Sequence, residues 1–362
     1  MTGVTLDDLG GWPAVLRPLL AGDDLTSIQA GAALAEVLDG AATPAQIAAL
    51  IVGLRCKGET VEEMTGLVRA MLDAAETVPL PPGTEPVDTC GTGGSPTRKE
   101  HALNVSTMAA LVIAGAGVPV CKHGGRAASA TSSSADLLEA LGVVIDLGPA
   151  GVARCVAEAG MGFCFAPRFH AAMRHAGPIR RELGIPTVFN FLGPLANPAG
   201  VRRQVLGVSD PHMAETMLGV LEGKGAERAL VVAGHDGLDE ITTTTTSTVM
   251  ELRDGSVRTY VVDPTEAGLA LADPDSLAGG DPAANVAITH DVLGGRRGPH
   301  RDIVVLNAAA GLVAGGLVDD LPSGVEAAGA AIDDGRAADA LERLVAVSNA
   351  ASVLGTSDTG NR

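Results

Sequence analysis

Residues 88–107 read DTCGTGGSPTRKEHALNVST, and residues 122–136 read KHGGRAASATSSSAD. The first stretch follows a predicted strand with a glycine-rich turn and ends in a hydroxyl-rich segment that begins an apolar helix. The second repeats this order, with a basic segment, then small and hydroxyl residues, then a helix. Glycine lets the backbone approach a ligand closely, and free N–H groups at the start of a helix bind anions. Two such loops, one with Lys122, His123 and Arg126, indicate a ligand with more than one phosphate.

The pattern around these loops predicts a protein of two parts. Residues 1–78 are predicted to form a helical domain, in which Thr43 is an N-cap and Thr60 forms a capping box with Glu63. A proline-rich linker at 79–86 follows. Beyond it, short apolar strands alternate with helices, which predicts a mainly parallel α/β sheet.

The second domain is predicted to cover residues 87–350, and several of its elements can be predicted individually from composition and spacing. These are a buried strand at 227–235, an antiparallel hairpin at 247–264 that turns at Asp254–Gly255, a strand followed by a helix at 302–316, and a disordered tail at 351–362.

Charge and composition limit the partners of the chain. Its 362 residues carry a net charge of −18, so we expect neither nucleic acid nor an anionic membrane as a partner. An anionic substrate would need local positive charge, which the sequence provides at 98–101, at 122–126 and at Arg180–Arg181. The most apolar window, 108–120, is too short to span a membrane, and no signal peptide is expected.

The chain has five cysteines, an odd number, and no CxxC motif. Four of them lie in apolar or motif contexts, so we expect free thiols and a reducing, cytoplasmic compartment. The five are Cys56, Cys90, Cys121, Cys155 and Cys164.

Five motifs together resemble those of the anthranilate phosphoribosyltransferases, enzymes of tryptophan biosynthesis that join anthranilate to phosphoribosyl pyrophosphate. The family's first loop reads GTGGD and is followed by N-[IVL]-S-T, and its second loop reads KHGNR. The resemblance runs from about residue 14 to about residue 350, which is far more specific than a single glycine loop. The matching segments are GTGG at 91–94, NVST at 104–107, KHGGR at 122–126, RRELGIPTVFNFLGPLANP at 180–198 and GHDGLDEITTTTTST at 234–248.

The resemblance implies a small all-helical N-terminal domain joined to a larger α/β domain with a mainly parallel central sheet, as in nucleoside phosphorylases. A later segment, about 169–181, would join the helical domain, and the active site would lie in the cleft between the domains. It also implies a homodimer that pairs through the helical domain. The reaction displaces pyrophosphate from a ribose carbon, so the protein contributes mainly positioning and electrostatic stabilisation, and no general base is expected.

The resemblance further assigns three sets of residues. Ser106, Asp239 and Glu240 would bind magnesium, as two ions. Gly91, Gly125 and Arg180 would bind anthranilate, with the Arg180 guanidinium on the carboxylate, and His123 would line the same pocket. The implied residues for phosphoribosyl pyrophosphate are Gly91, Gly94, Ser95, Asn104, Val105, Ser106, Thr107, Lys122, His123, Gly124, Arg126, Ala127, Ala128, Ser129, Ala130 and Ser134.

The sequence departs from the family pattern in both loops. The segment between GTGG and NVST is three residues longer than usual, and Arg98 and Lys99 in it are expected to offset the altered loop with positive charge. The other departures are Ser95 in place of Asp, Ala102 in place of a hydroxyl residue, Gly125 in place of Asn, Ala130 in place of Ser and Ser133 in place of Gly.

Several functions therefore stay open from sequence alone. The chain is an anthranilate enzyme with a reshaped loop, a relative that uses another aromatic carboxylate in specialised metabolism, or a weakly active paralogue. Simple decay is opposed by the retention of five residues of the family pattern, which are Lys122, Arg126, Arg180, Asp239 and Glu240. A related pyrimidine nucleoside phosphorylase is disfavoured by KHGGR, and a nucleic-acid-binding relative is opposed by the net charge of −18.

Overall fold

The computed structural model describes residues 4–93, 102–126 and 131–357, which form a helical bundle and an α/β domain. The α-helices are α1 (Pro13–Ala21), α2 (Ser27–Leu38), α3 (Pro44–Lys57), α4 (Val61–Asp73), α5 (Val105–Gly115), α6 (Ser134–Ala140), α7 (Pro149–Ala159), α8 (Ala166–Phe169), α9 (Gly177–Leu183), α10 (Val188–Leu195), α11 (Ala214–Gly223), α12 (Pro282–Leu293), α13 (Pro299–Gly315), α14 (Leu321–Asp333) and α15 (Arg336–Ser357). The strands are β1 (Val87–Gly91), β2 (Val120–Gly124), β3 (Met161–Phe165), β4 (Arg203–Gly207), β5 (Arg228–Gly234), β6 (Ser247–Arg253) and β7 (Ser256–Val262).

Local sequence signals set the starts of the bundle helices. Thr43 caps α3 and Thr60 caps α4 in a capping box with Glu63, both as predicted, and Thr43 also forms a capping box with Gln46 that was not predicted. Glu63 of the second box is fully buried, and its carboxylate also accepts the N–H of Leu25 at 2.8 Å and pairs with Lys57 at 3.0 Å. The cap of α4 therefore also fastens the start of α2.

The sheet has the strand order β3-β2-β1-β4-β5-β6-β7, in which the first five strands are parallel and the last two antiparallel. The predicted hairpin is confirmed, with Asp254 and Gly255 at the turn between β6 and β7. The strand order reverses between β1 and β4. In open α/β sheets, ligands bind at the carboxyl ends of the strands at such a switch point.

One element of the α/β domain differs from its prediction. Residues 302–316 were expected to form a strand and then a helix, but α13 is helical from Pro299 to Gly315 and is buried almost throughout. A helix that is buried on all sides has a continuous apolar sequence, which periodicity cannot distinguish from a buried strand. The breaker Gly298–Pro299, with proline at the first helical turn, is the local signal for a helix start.

The hydrophobic core of the bundle extends well beyond residue 78. Ala176, and also Val188 and Leu192 of α10, belong to the same buried cluster as Val37 and Leu50. The segment after α8 and helix α9 pack against α2 and α3. The bundle is thus completed by chain that returns after β3, and this return places α10 beside β2 and β4.

The end of the chain also differs from its prediction. Residues 351–357 were expected to be disordered, but α15 continues to Ser357. The sequence over these residues has no proline, and alanines precede it, so nothing ends the helix there. The remainder of the predicted tail, 358–362, lies outside the described residues. Among the described helices, none is both long and apolar enough to cross a bilayer.

Candidate active site

Two glycines at the switch point make room for an acidic turn. Gly91 ends β1 and Gly207 ends β4, and the two are partners in the sheet register. A Cβ at Gly91 would clash with the Asp239 carboxylate, and a Cβ at Gly207 would clash with the Asp239 backbone carbonyl. The turn at 236–244, called the carboxylate turn below, therefore lies directly on the ends of the two central strands.

The two carboxylates of this turn contact the first loop at both of its ends. An Asp239 oxygen accepts the backbone N–H of Gly93 at 2.7 Å, and a Glu240 oxygen accepts the backbone N–H of Ser106 at 3.2 Å. The Ser106 hydroxyl in turn accepts a hydrogen bond from the Lys122 ammonium at 3.2 Å. Residues predicted to bind metal and pyrophosphate from three distant parts of the chain are thus brought together.

Electrostatics at this point favour a cation. Burial raises the pKa of Asp239, while burial and then the charge of Asp239 raise the pKa of Glu240, and Lys122 opposes both shifts. No Lys, Arg or His in the described ranges forms an ion pair with either carboxylate. The available donors are carboxylate and hydroxyl oxygens, which are the hard ligands that magnesium prefers. The residues present therefore fit a magnesium ion.

The carboxylate turn is held from behind. Asn307 of α13 accepts the N–H of Ile241 at 3.0 Å and donates to the Ile241 carbonyl at 2.8 Å, so it fixes the backbone next to Glu240 on both sides. Asp236 accepts the hydroxyls of Thr242 and Thr244 at 2.7 Å each. The threonine run of this segment thus has a local structural role that closes the turn.

Lys122 and its neighbours are part of the buried sheet. Lys122 is 1% exposed and donates to the Thr89 carbonyl as well as to Ser106. The adjacent Asp88 is fully buried, accepts the His123 N–H at 3.1 Å and the Asn197 amide at 2.8 Å, and has its pKa raised by burial. Lys122 thus places a cation among carboxylates at the base of the cleft.

The ends of the two loops are joined to each other. The Ser132 hydroxyl donates to the Asn104 side-chain oxygen at 2.8 Å, and the Thr107 hydroxyl donates to the Ser134 hydroxyl at 2.9 Å. Asn104 precedes α5 and Val105 begins it, so Ser106 lies within the first turn and is not the N-cap. These bonds bring Asn104, Thr107 and Ser134, all predicted for phosphoribosyl pyrophosphate, to one side of the cleft.

His123 faces the bundle side of the cleft. Its Nδ1 lies 3.0 Å from the Gly193 carbonyl of α10, its Nε2 is buried with no partner among the described residues, and its ring contacts His170 edge-on at 5.1 Å. Burial and the neighbouring His170 lower the pKa of His123 to about 3. The imidazole is therefore neutral at physiological pH and adds no net charge to the cleft.

Arg180 of α9 also contacts α10, one turn before Gly193. Its guanidinium stacks over the Phe189 ring at 5.3 Å and is half-buried, and burial lowers its pKa. No carboxylate in the described part of the chain pairs with it. Helix α10 thus links Arg180, through Phe189, to His123, through Gly193. A half-buried arginine without an acidic partner fits a ligand that brings its own carboxylate.

The Arg126 side chain does not point to Asp239 and Glu240. Its guanidinium pairs with Asp136 at 2.7 Å and Glu139 at 2.9 Å, both on α6, and lies over the Phe165 ring at 5.6 Å. The side chain is 48% exposed, so the pairs contribute little to stability. In this structure Arg126 fastens the second loop to α6.

The remaining predicted residues divide into two groups. Gly124 ends β2 against the Phe163 ring, whereas among the described residues a Cβ at Gly125 would meet only Ala166, at an ordinary contact distance of 3.6 Å, so packing against this part of the chain does not require glycine at 125. The predicted residues that lie outside the described ranges are Gly94, Ser95, Arg98, Lys99, Ala127, Ala128, Ser129 and Ala130.

Sequence reasoning missed several residues that build the site. Gly207 seats the carboxylate turn, and Ser209 donates its hydroxyl to the Gly93 carbonyl at 2.8 Å. Asn197 donates to both Asp88 and the Cys121 carbonyl at 2.8 Å, which ties the chain after α10 to β1 and β2. The only sequence signal for Asn197 is its place in the GPLANP segment at 193–198, which matches the family. No sequence signal indicates Gly207 or Ser209.

Known protein families define the class to which this chain belongs. Residues 83–338 match the α/β domain of a glycosyl transferase family, and residues 13–75 match the helical bundle domain of the same family. An anthranilate phosphoribosyltransferase of Acidothermus cellulolyticus is 53% identical over 350 residues, which cover 95% of this chain and 97% of that protein. The chain belongs to the anthranilate phosphoribosyltransferases, the pentosyltransferases that its motifs resemble.

Solved structures agree with this assignment and with the predicted fold class. An anthranilate phosphoribosyltransferase of Thermus thermophilus has a TM-score of 0.87 and 40% identity, and covers 92% of this chain and 99% of its own. The enzyme of Saccharomyces cerevisiae, solved in complex with phosphoribosyl pyrophosphate and magnesium, has a TM-score of 0.84 and 28% identity, with 94% and 98% covered. The helical bundle joined to a mainly parallel α/β domain is thereby confirmed.

Proposed function

We propose that this chain transfers the phosphoribosyl group of phosphoribosyl pyrophosphate to the amine of anthranilate in the cleft at the carboxyl ends of β1, β2 and β4. The observation that carries the proposal is the carboxylate turn, seated on Gly91 and Gly207 and in contact with both Gly93 and Ser106. It joins an oxygen-rich cation site to the loop segments whose motifs match the family's phosphate loops.

Magnesium is the expected cofactor. Asp239 and Glu240 would hold one ion and Ser106 would contribute to a second, and phosphate oxygens and water would complete the coordination because magnesium keeps several waters. In the described ranges no third His, Cys, Asp or Glu joins these carboxylates, which supports an ion that binds together with its substrate. When bound, magnesium neutralises charge on the pyrophosphate and so makes it a better leaving group.

The other residues are proposed to position the two substrates. Lys122 places positive charge beside the pyrophosphate, and Asn104 with Thr107 holds the start of α5 against the second loop. Arg180 would grip the anthranilate carboxylate with its planar fork. The amine of anthranilate is unprotonated near neutral pH and attacks directly, so neutral His123 would line the pocket without acting as a base.

The activity is tested by mixing purified protein with anthranilate, phosphoribosyl pyrophosphate and magnesium and following the loss of anthranilate fluorescence. We expect rapid loss that requires all three components. A panel of other aromatic carboxylates is run in parallel with detection of released pyrophosphate. Pyrophosphate release with another acid but not with anthranilate would overturn the proposed acceptor and favour the divergent relative, and no release with any acid would favour the weakly active paralogue.

The acceptor role of Arg180 has its own test. Arg180→Ala should raise KM for anthranilate about thirtyfold and leave KM for phosphoribosyl pyrophosphate unchanged, since a charge-assisted hydrogen bond contributes about 1.5–3 kcal/mol. Arg174→Ala is the control, because Arg174 is exposed and contacts only a neighbouring carbonyl. An equal rise in both Michaelis constants would show that Arg180 supports the fold instead of the acceptor.

A homodimer is proposed through the bundle. The outward face of α3 carries Ala49, Val52 and Cys56 at helical spacing, and Leu20 of the adjoining α1 is 87% exposed. Such an apolar face on two packed helices favours pairing with a second copy. Light scattering should give twice the chain mass, and Val52→Glu should give the monomer mass.

A cytoplasmic compartment is also proposed, because all five cysteines are free thiols.

A further inference from the structure

A glycine turn far along the chain meets the ends of both substrate loops. Asn285 of α12 is fully buried and donates its side-chain amide to the Ala102 carbonyl at 3.0 Å and to the Gly280 carbonyl at 2.9 Å. The Gly280 carbonyl also accepts the Thr131 hydroxyl at 3.1 Å. Gly279, Gly280 and Asn285, called the glycine junction below, therefore contact the first loop at Ala102 and the second at Thr131.

Both contacts lie next to residues proposed to bind phosphoribosyl pyrophosphate. Ala102 is two residues before Asn104, and Thr131 precedes Ser132, whose hydroxyl bonds Asn104. The contact to the first loop is made to a backbone carbonyl, so it does not depend on the side chain at 102. It also requires glycine, because a Cβ at Gly279 would clash with the Ala102 carbonyl and with the Leu103 Cα.

The hydrogen bonds of Asn285 indicate that it positions the ends of the loops more than it stabilises the fold. Its side-chain oxygen is buried and has no partner among the described residues. A buried polar atom without a partner costs free energy, and two apolar groups of matching shape can replace a buried hydrogen bond at little cost. An amide at this position is best explained by its two N–H groups, which face three carbonyls, those of Ala102, Gly280 and Asp281.

We propose that Asn285 is a positioning residue for phosphoribosyl transfer, and that the glycine junction sets the distance between the ends of the two substrate loops. The inference rests on the proposed function in that these loops bind phosphoribosyl pyrophosphate. It adds to the Asn104–Ser132, Thr107–Ser134 and Lys122–Ser106 bonds a connection that meets the described ends of both loops from α12 and the turn before it.

The test compares Asn285→Ala with Thr289→Val. Thr289 is fully buried one turn further along α12 and its hydroxyl donates to the Asn285 backbone carbonyl at 2.7 Å, so its variant changes the surroundings of Asn285 but leaves the side-chain amide and its bonds to Ala102 and Gly280 in place. Asn285→Ala should raise KM for phosphoribosyl pyrophosphate, and the dissociation constant of its magnesium complex, about tenfold, with little change in KM for anthranilate. Thr289→Val should leave all three unchanged. A lower melting temperature of Asn285→Ala with wild-type constants would overturn the proposal.

A second variant covers the case in which Asn285→Ala does not fold. Thr131 is exposed, and Thr131→Val removes its bond to the Gly280 carbonyl, so we expect about a threefold rise in the same two constants. Unchanged constants in Thr131→Val, where Asn285→Ala is insoluble, would also overturn the proposal. If the wild type binds phosphoribosyl pyrophosphate but does not consume anthranilate, the proposed function fails while the binding constants still test the glycine junction.

Discussion

The carboxylate turn is held by side chains of its own segment and of α13, whereas the described ends of the two substrate loops are held by residues from many distant segments. Asp236 closes the turn over a few residues, and Asn307 grips Ile241 from a buried helix. The first loop, in contrast, depends on Ser209, Ser132 and Asn285.

This difference agrees with where the sequence departs from its family. Asp239 and Glu240 stand in a segment that matches the family motif, and Asp239 packs closely on Gly91 with its carboxylate and on Gly207 with its backbone. The departures, such as Ser95 and Gly125, are all in the loops, and packing against the described residues does not force glycine at 125. We therefore expect the carboxylate turn to tolerate change less well than the loops, whose described ends are held at several separate points.

The strongest way to break the comparison is to push the turn off the sheet. Gly207→Ala places a methyl group against the Asp239 carbonyl, so we expect about a hundredfold loss of kcat/KM and a higher magnesium requirement. Magnesium titrations of the fluorescence assay measure both. Gly223→Ala is the control, since a Cβ there meets nothing within 4 Å. Full activity in Gly207→Ala would mean that the turn does not depend on its seat.

A smaller loss is expected from loosening the turn without a clash. Asn307→Ala removes both bonds to Ile241, and we expect kcat/KM to fall about tenfold, because support behind a metal ligand typically contributes that much. It should also lower the free energy of unfolding by about 2 kcal/mol. Asn349→Ala, which removes a hydrogen bond to Gly142 on the surface, is the control. Loss of stability with unchanged magnesium dependence would contradict a role in the site.

Removing a single hydrogen bond to the first loop should reduce activity less than disturbing the carboxylate turn does. Ser209→Ala removes the hydroxyl that bonds the Gly93 carbonyl, and because several other contacts hold this loop, KM for phosphoribosyl pyrophosphate should rise only about threefold. Ser276→Ala, at a half-buried serine whose hydroxyl bonds its own turn, should have no effect. If Ser209→Ala lowered kcat/KM as much as Gly207→Ala does, the loops would be as constrained as the turn.

The smallest effect at neutral pH is expected from replacing His123, because this residue changes the free energy of unfolding mainly at acidic pH. Burial lowers its pKa from 6.5 to about 3, so the unfolded chain takes up a proton that the folded chain does not. Stability from this group is present above pH 6.5 and is lost as pH falls towards 3, at about 1.4 kcal/mol per pH unit. Denaturant unfolding of wild type and His123→Gln between pH 7 and 4.5 should converge as pH falls, and parallel curves would contradict it.

Elements specified by neighbouring residues could be predicted from the sequence. The capping box of Thr60 with Glu63 and the hairpin turn at Asp254 depend on residues a few positions apart, and both are confirmed. Helix α13 could not be predicted, because its apolar sequence reflects burial on every side and not its own periodicity.

The site divides in the same way. Asp239, Glu240 and Ser106 could be assigned because they stand in motifs, and the structure brings them together. The residues that hold them could not, because Asn307 acts across 66 positions and Asn285 across 183. Arg126 shows the reverse: its motif matched, but Asp136 and Glu139 draw its side chain to α6.

The measurement that tests the central claim most directly is calorimetric titration of phosphoribosyl pyrophosphate into wild type and Asp239→Asn, with and without magnesium. The carboxylate of Asp239 is proposed to hold the ion that binds the pyrophosphate. We therefore predict tight binding to wild type only with magnesium, and binding to the variant that is weak and indifferent to magnesium. Equal, magnesium-dependent binding to both proteins would contradict the account.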